Sequence, residues 1–338
     1  MESKVSSKNI SPNNNVRQTG QFELLSPKIQ NQNYEIVLGG GGIKGFGHIG
    51  LLKALEAKKI HAHHFTGISI GSIIATLYVN GMTPNEISDL LCRELNIVVK
   101  TAHLEDLSWD FRSWVTVSSS FLSPYRTLWN LEKILRDLIA RYDLKPQPNL
   151  RIIASNLLDG QPVIFEGTDY DLAAALAASC AFPLVMKPVV LQKTFNKKTE
   201  NKIIDFAQRF KIFNDRRILI DGGIHHPHPG HFCKGPAIIS KLGFATKLPA
   251  ERLVPAEYMC HLLELIGSAA LDFYYKDPAE HIVVPTGMPD VAILSFALPK
   301  WKCKDMVEYG YMQAQNYLSV LDTKVADLEI PDVQRLSA

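Results

Sequence analysis

Three short apolar segments of this chain each end in a glycine-rich turn, and this arrangement constrains the fold more than any other feature. The turns are, in chain order, Gly39-Gly40-Gly41-Gly42, Gly67-Ile68-Ser69-Ile70-Gly71 and Asp221-Gly222-Gly223. Helical spacing of apolar residues follows the first two turns, over residues 47–58 and 72–79. Strands that alternate with helices in this way predict an α/β fold with a mainly parallel sheet.

Composition supports a folded chain and argues against several classes of protein. Of the 338 residues, 46% are apolar and 21% are charged, which is enough apolar side chain for a sizeable core. The 36 basic and 34 acidic residues give a net charge of +2, so we predict no nucleic-acid partner. The five cysteines are odd in number, widely spaced and without a C-x-x-C pair, which favours reduced thiols over disulfides.

The chain divides by composition into a polar tail and one large domain. Residues 1–33 are rich in Ser, Asn, Gln and Lys, which predicts a disordered tail over 1–33 and a domain over 34–325. Within this domain, residues 192–217 carry eight Lys or Arg against three acidic residues. This basic insertion is interpreted either as a solvated loop or as a surface for anionic lipid headgroups. Residues 224–325 match known patterns less well and are interpreted as a lid or a regulatory part.

No part of the sequence predicts a membrane span or a secretory signal. The longest apolar stretch is interrupted by proline and lysine, and residues 1–33 lack the apolar core of a signal peptide. These features predict a cytoplasmic or peripheral membrane location, and they leave export without a signal peptide open.

Ser69 is the candidate nucleophile because it lies in a G-x-S-x-G pattern between a predicted strand and a predicted helix. In a nucleophile elbow the serine occupies a strained turn, and small residues on either side let the neighbouring backbone pass close by. Gly67 and Gly71 supply those positions. The alternative is a turn serine that caps the following helix.

The first glycine-rich turn continues as Gly40-Gly41-Gly42-Ile43-Lys44-Gly45 and has two functional interpretations. One is a phosphate cradle at a helix N-terminus. A dinucleotide fold, however, expects an acidic residue about 20 positions later, where this chain has Lys59, His61 and His63. The other interpretation is an oxyanion hole, in which backbone N–H groups face the oxygen that becomes negative when serine attacks a carbonyl.

Asp221 ends the third apolar segment and is the candidate base. A carboxylate can activate serine if it lies within hydrogen-bond reach, and burial raises its pKa towards a useful range. A histidine-rich segment follows it directly, so a histidine base or a metal site is an alternative. This segment contains His225, His226, His228, His231 and Cys233. We favour a proline-rich loop at the rim of the site and predict no metal, because an aspartate is already in place.

Together, GGGIKG, GISIG and DGG, each after an apolar strand, resemble the patatin-like phospholipases, which are lipid acyl hydrolases with a Ser–Asp dyad. The small-residue block at 177–183, which ends in proline, is also similar, and the resemblance covers residues 34–223. It implies a three-layer α/β/α sandwich with a mainly parallel central sheet. It also implies that the dyad needs no metal or other cofactor.

The resemblance assigns a role to each motif. Ser69 is the nucleophile, Asp221 the base, and Gly40, Gly41 and Gly42 supply the oxyanion N–H groups. The motif-supporting positions are Lys44, Gly45, Gly67, Gly71, Gly222 and Gly223. The implied reaction is cleavage of fatty acyl esters of phospholipids at a membrane surface, of the phospholipase A or lysophospholipase type, with or without a protein or small-molecule activator. The alternative is a non-catalytic lipid- or nucleotide-binding module that uses the glycine loop as an anion site.

Overall fold

The computed structural model describes most of the chain after residue 33. The described residues are 34–101, 131–183, 185–192, 216–226, 229–243, 262, 281–291, 293 and 298–328. The predicted tail, 1–33, and most of the basic insertion, 193–215, lie outside the described residues.

A central sheet of eight described strands organises the fold. These strands are β1 (Tyr34–Leu38), β2 (Ala62–Ile68), β3 (Leu150–Asn156), β4 (Pro162–Glu166), β5 (Val189–Gln192), β6 (Arg216–Asp221), β7 (Ala237–Lys241) and β8 (His281–Pro285). Their order is β5-β6-β3-β2-β1-β7-β8, and β4 pairs with β3. Within the sheet, the adjacent strands β3, β2, β1, β7 and β8 are parallel to one another. The β3–β4, β3–β6 and β5–β6 pairs are antiparallel.

Helices cover this sheet and bury its apolar side chains. Those of eight or more residues are α1 (Phe46–Ala57), α2 (Ile70–Val79), α3 (Pro84–Thr101), α4 (Leu131–Tyr142), α5 (Leu172–Ser179) and α6 (Lys300–Leu328). Strand β1 is buried along its whole length, as expected of a central strand with a parallel neighbour on each side. The prediction of an α/β fold with a mainly parallel sheet flanked by helices is confirmed.

Local sequence signals account for where two of these helices begin. Thr83 and Glu86 form the predicted capping box of α3: the Thr83 N–H donates to Glu86 Oε2 over 2.8 Å, and the Glu86 N–H donates to Thr83 Oγ1 over 3.3 Å. Asp171 caps α5 by accepting from the Ala174 N–H over 3.1 Å. None of the helices in the described ranges combines the length and apolar character needed to cross a membrane.

The C-terminal helix α6 is longer than the amphipathic segment at 309–321 that the sequence indicates, and it packs against α1. The two helices cross at glycines. A Cβ atom on Gly50 would overlap the Val307 carbonyl oxygen, and one on Gly310 would overlap the Gly47 carbonyl oxygen. This close approach brings residues from 300 onwards against the helix that follows the first glycine-rich turn.

Strand β3 pairs with both strands that lead into the second and third glycine-rich turns. β4 pairs with residues 151–155 of β3 and therefore occupies one edge, so β2 and β6 both lie along the opposite edge. There Ile153 is opposite Ile68, and the next residue, Ala154, is opposite Asp221. The ends of β2 and β6 therefore meet, which brings residue 69 beside residue 221.

Candidate active site

Ser69 occupies a strained turn between β2 and α2. Its φ of 54° and ψ of −131° lie in a region that residues with a side chain seldom adopt. The Ser69 carbonyl accepts hydrogen bonds from the Ser72 N–H (2.9 Å) and the Ser72 hydroxyl (2.6 Å), which close the first turn of α2. The serine is held at the N-terminus of a buried helix, as in a nucleophile elbow.

The glycines on either side of Ser69 lie where no side chain fits. A Cβ atom on Gly67 would overlap the Ser72 backbone, and one on Gly71 would overlap the carbonyl oxygen of Leu38, at the end of β1. The elbow therefore depends on direct contact between the start of α2 and the end of β1. This contact also places the first glycine-rich turn beside Ser69.

We expect Gly71→Ala to disrupt this contact. The added methyl would meet backbone atoms of β1, which cannot move aside as a side chain can, so we expect a loss of about 3 kcal/mol in the free energy of unfolding. Gly235→Ala is the matched control, because a Cβ there has open space and no positive φ. Urea unfolding of both variants measures the difference. Equal stability of the two variants would show that the contact at Gly71 is not required.

Asp221 lies directly opposite the serine hydroxyl. Its Oδ2 accepts a hydrogen bond from Ser69 Oγ over 2.6 Å, and its Oδ1 accepts from the Gly223 N–H over 2.8 Å. Its own N–H donates to the Ala181 carbonyl over 3.0 Å. Burial raises the pKa of Asp221 to about 6, although both hydrogen bonds to the carboxylate lower it.

The first glycine-rich turn lies against this pair. A Cβ atom on Gly40 would be 3.4 Å from Ser69 Cβ and 4.0 Å from Asp221 Oδ1. Among the described residues, no hydrogen-bond acceptor faces the N–H groups of Gly40 and Gly41, whereas the Ile43 N–H donates to the Ile293 carbonyl over 2.9 Å. Backbone donors therefore remain available beside the serine.

The remaining motif positions have packing roles in this arrangement. Gly42 has a φ of 53°, and a Cβ there would overlap the Ile293 carbonyl oxygen, while one on Gly45 would lie 2.5 Å from Ile70 Cγ1. Lys44 is buried, and its Nζ donates to the Gly243 carbonyl over 3.3 Å. A Cβ on Gly222 would overlap the Ile153 carbonyl oxygen. These residues hold the turns against β3 and the loop after β7.

Ser179, at the end of α5, supports the serine in a way that the sequence analysis missed. Its hydroxyl accepts a hydrogen bond from the Ser69 N–H over 2.9 Å and donates to the Ile153 carbonyl over 2.7 Å. It therefore fixes the backbone of Ser69 to β3. The one available signal was its place in the small-residue block at 177–183, which indicates close packing but does not identify a partner.

The histidine-rich segment does not contact the serine within the described part of the chain. The ring centroid of His226 lies 4.7 Å from that of His225 and 5.7 Å from that of His231. Burial lowers the pKa of His226 to about 4, which keeps this ring neutral. The described residues contain no group of three or more His, Cys, Asp or Glu side chains that could hold a metal ion, and His228 lies outside them.

A buried serine–aspartate pair where the ends of β2 and β6 meet, beside backbone N–H groups that have no acceptor among the described residues, defines a class of α/β proteins in which the nucleophile and the base are in direct contact. A family model described as patatin-like phospholipase matches residues 36–231, more than half of the chain. The chain therefore belongs to the patatin-like phospholipase family.

Individual relatives share shorter regions or lower identity. Lysophospholipase NTE1 of Coccidioides immitis is 44% identical over 59 residues, which are 18% of this chain and 4% of that protein. An uncharacterized protein of Acanthamoeba polyphaga mimivirus is 25% identical over 185 residues, which are 51% of this chain and 60% of that protein. The chain thus spans a small part of the length of the lysophospholipases that it matches.

Two solved structures of bacterial proteins are also similar. VipD from Legionella pneumophila has a TM-score of 0.42 and 16% identity, over 85% of this chain and 67% of that chain. The heterodimeric ExoU–SpcU complex of the Pseudomonas aeruginosa type III secretion system matches with a TM-score of 0.41 and 18% identity, over 89% of this chain and 55% of that chain.

Proposed function

We propose that this chain is a phospholipid acyl hydrolase of the phospholipase A or lysophospholipase type, with Ser69 as nucleophile and Asp221 as base. The observation that carries the proposal is the 2.6 Å hydrogen bond from Ser69 Oγ to a buried Asp221 carboxylate. A base within this distance can accept the hydroxyl proton as the oxygen attacks. Family membership supports the choice of an acyl ester as substrate.

The reaction proceeds in two halves. Asp221 takes the proton of Ser69 while Oγ adds to the ester carbonyl, and the proton then passes to the departing alcohol as the C–O bond breaks. This leaves the fatty acyl group on Ser69. In the second half Asp221 takes a proton from water, and the resulting hydroxide adds to the acyl carbonyl. The bond to Ser69 Oγ then breaks, the fatty acid is released, and Asp221 returns the proton to Ser69 Oγ.

The negative charge that develops on the carbonyl oxygen needs donors that are fixed in advance. We assign this role to the N–H groups in the loop Gly40-Gly41-Gly42. Two observations support this assignment: the N–H groups of Gly40 and Gly41 have no acceptor within the described ranges, and Gly40 closely approaches Ser69. Because α2 begins at Ile70, the positive end of its dipole also lies at the reacting centre.

The surface beside Asp221 suits a lipid interface. Ile224 follows the Asp221 turn and is exposed, and the tight turn after β3 presents Leu157 and Leu158 with more than half of their surface exposed. That turn packs against the same segment, because a Cβ on Gly160 would lie 2.9 Å from His225 Nε2. Exposed apolar side chains at the rim of a site favour contact with acyl chains, so we assign the substrate to a phospholipid surface.

Two measurements on the full chain test the proposal. Purified protein is incubated with mixed phospholipid vesicles, with and without cell lysate, and free fatty acid and lysolipid are quantified. A serine-reactive fluorophosphonate is applied in parallel, and the labelled peptide is identified by mass spectrometry. We expect fatty acid release and a label on Ser69. Release only with lysate would indicate an activator. A label at another serine would overturn Ser69 as the nucleophile, and neither release nor label would favour a non-catalytic binding module.

A further inference from the structure

His48 is completely buried on α1, and both of its ring nitrogens are hydrogen-bonded. Nε2 lies 2.8 Å from the Gly39 carbonyl oxygen, and Nδ1 lies 2.7 Å from Ser240 Oγ on β7. Ser240 Oγ is in turn 2.6 Å from Thr286 Oγ1, just beyond β8. From the sequence, residues 47–58 are predicted only to form a helix, with no role for His48.

The partners define the protonation state of the ring. A carbonyl oxygen can only accept, so Nε2 carries the proton and donates to Gly39, while Nδ1 accepts from the Ser240 hydroxyl. The Ser240 oxygen is then free to accept from the Thr286 hydroxyl. Burial lowers the pKa of His48 to about 4, and the ring is therefore neutral near pH 7.

The bond to Gly39 fixes a peptide that leads directly to the reacting centre. The Gly39 carbonyl and the Gly40 N–H belong to one planar unit, and in a trans peptide these two groups point in opposite directions. When the carbonyl points at His48, the Gly40 N–H points away from it. The Cα of Gly40 lies beside Ser69, and among the described residues its N–H has no acceptor.

We propose that His48 is a positioning residue that holds the Gly39–Gly40 peptide with its N–H directed at the oxyanion, and that Ser240 and Thr286 hold the ring in the required tautomer. The inference rests on the proposed function. Without a fixed donor to the Gly39 carbonyl, a peptide between two glycines rotates easily, because glycine has few conformational limits. The donor would then have to reorganise during the reaction, and preorganised donors are the ones that lower the barrier.

Two amide substitutions separate this role from simple packing. In His48→Gln the side-chain NH₂ reaches the position of Nε2 and can still donate to Gly39. In His48→Asn the shorter side chain reaches only the position of Nδ1. We expect kcat to fall about 10²-fold in His48→Asn, as for loss of one oxyanion donor, with KM within about threefold of wild type. We expect His48→Gln to retain kcat within about tenfold of wild type.

The measurement is fatty acid release from phospholipid vesicles by the full chain, with urea unfolding of each variant and Ser69→Ala in the same series. If hydrolysis depends on Ser69, then equal kcat losses in the two amide variants, or a change confined to KM, would overturn the inference and leave the proposed function intact. Hydrolysis that survives Ser69→Ala would overturn the proposed function and, with it, this inference. If the His48 variants do not fold, Ser240→Ala serves instead. We expect about a tenfold lower kcat at unchanged KM, and an unchanged kcat would contradict the role of the ring.

Discussion

Replacing Ser69 with alanine is expected to reduce phospholipid hydrolysis by about 10⁴- to 10⁶-fold, because the acyl intermediate can no longer form and the residual rate comes from binding and oxyanion donors alone. The elbow itself should persist. Alanine adopts the same φ of 54° at a similar cost, and the backbone N–H at position 69 still donates to Ser179. We therefore expect loss of kcat with little change in vesicle binding or thermal stability.

The matched control for Ser69→Ala is Ser319→Ala, which changes an exposed serine on α6 and should leave the rate within a factor of two. Rates are measured as fatty acid release under substrate saturation, and vesicle binding is measured by co-sedimentation. If Ser69→Ala hydrolyses phospholipid at a rate within tenfold of the control, Ser69 is not the nucleophile.

Much of the fold follows from local signals in the sequence. Apolar runs that end in glycine predict β1 and β2, helical spacing predicts α1 and α2, and the capping box at Thr83 and Glu86 marks the start of α3. Each signal depends on residues within one or two turns of chain. The parallel direction of the core follows from the same alternation of strand and helix.

The meeting of Ser69 and Asp221 depends on pairing between distant segments. The two residues are 152 positions apart, and they meet because β2 and β6 occupy successive parts of one edge of β3. Nothing local in the sequence specifies that shared edge. At the sequence level the pair was therefore available only from separate motifs and from the family resemblance.

The hydrogen bonds of Ser179 and His48 could not be predicted from the sequence for a related reason. Ser179 and His48 are each compatible with a buried helix face, and periodicity predicts burial without naming a partner. Ser179 bonds to Ile153 because the end of α5 lies against β3. His48 bonds to Gly39 and Ser240 because α1 places its ring beside the end of β1 and beside β7. Such contacts depend on register and on crossing geometry, which the linear pattern does not contain.

The Asp221 carboxyl is expected to impose a pH dependence on activity. The base acts only when it is ionised, and burial raises its pKa to about 6. We therefore expect kcat/KM to fall tenfold per pH unit below about pH 6 and to level off above it. Asp221→Asn should lower kcat by about 10⁴- to 10⁶-fold at pH 8, because loss of the base alone costs about as much as loss of the nucleophile.

The same substitution is expected to raise stability, with a sign that follows from the shift in pKa. Because the folded-state pKa of Asp221 is raised from 3.8, the neutral acid is favoured by folding. Its stabilising contribution is complete below pH 4 and is lost as pH rises through 6. Asparagine stays neutral, so Asp221→Asn should match wild type below pH 4 and exceed it by up to about 3 kcal/mol above pH 7.

Urea unfolding of Asp221→Asn, wild type and Asp305→Asn between pH 4 and pH 8 measures this difference. Asp305 is exposed on α6, so its substitution should change the free energy of unfolding by no more than about 0.5 kcal/mol across the range. If Asp221→Asn is inactive but more stable than wild type at pH 8, the ionised Asp221 carboxylate serves catalysis and lowers the free energy of unfolding. If Asp221→Asn is instead less stable than wild type at pH 8, the ionised carboxylate stabilises the fold, and the predicted cost of keeping it ionised is wrong.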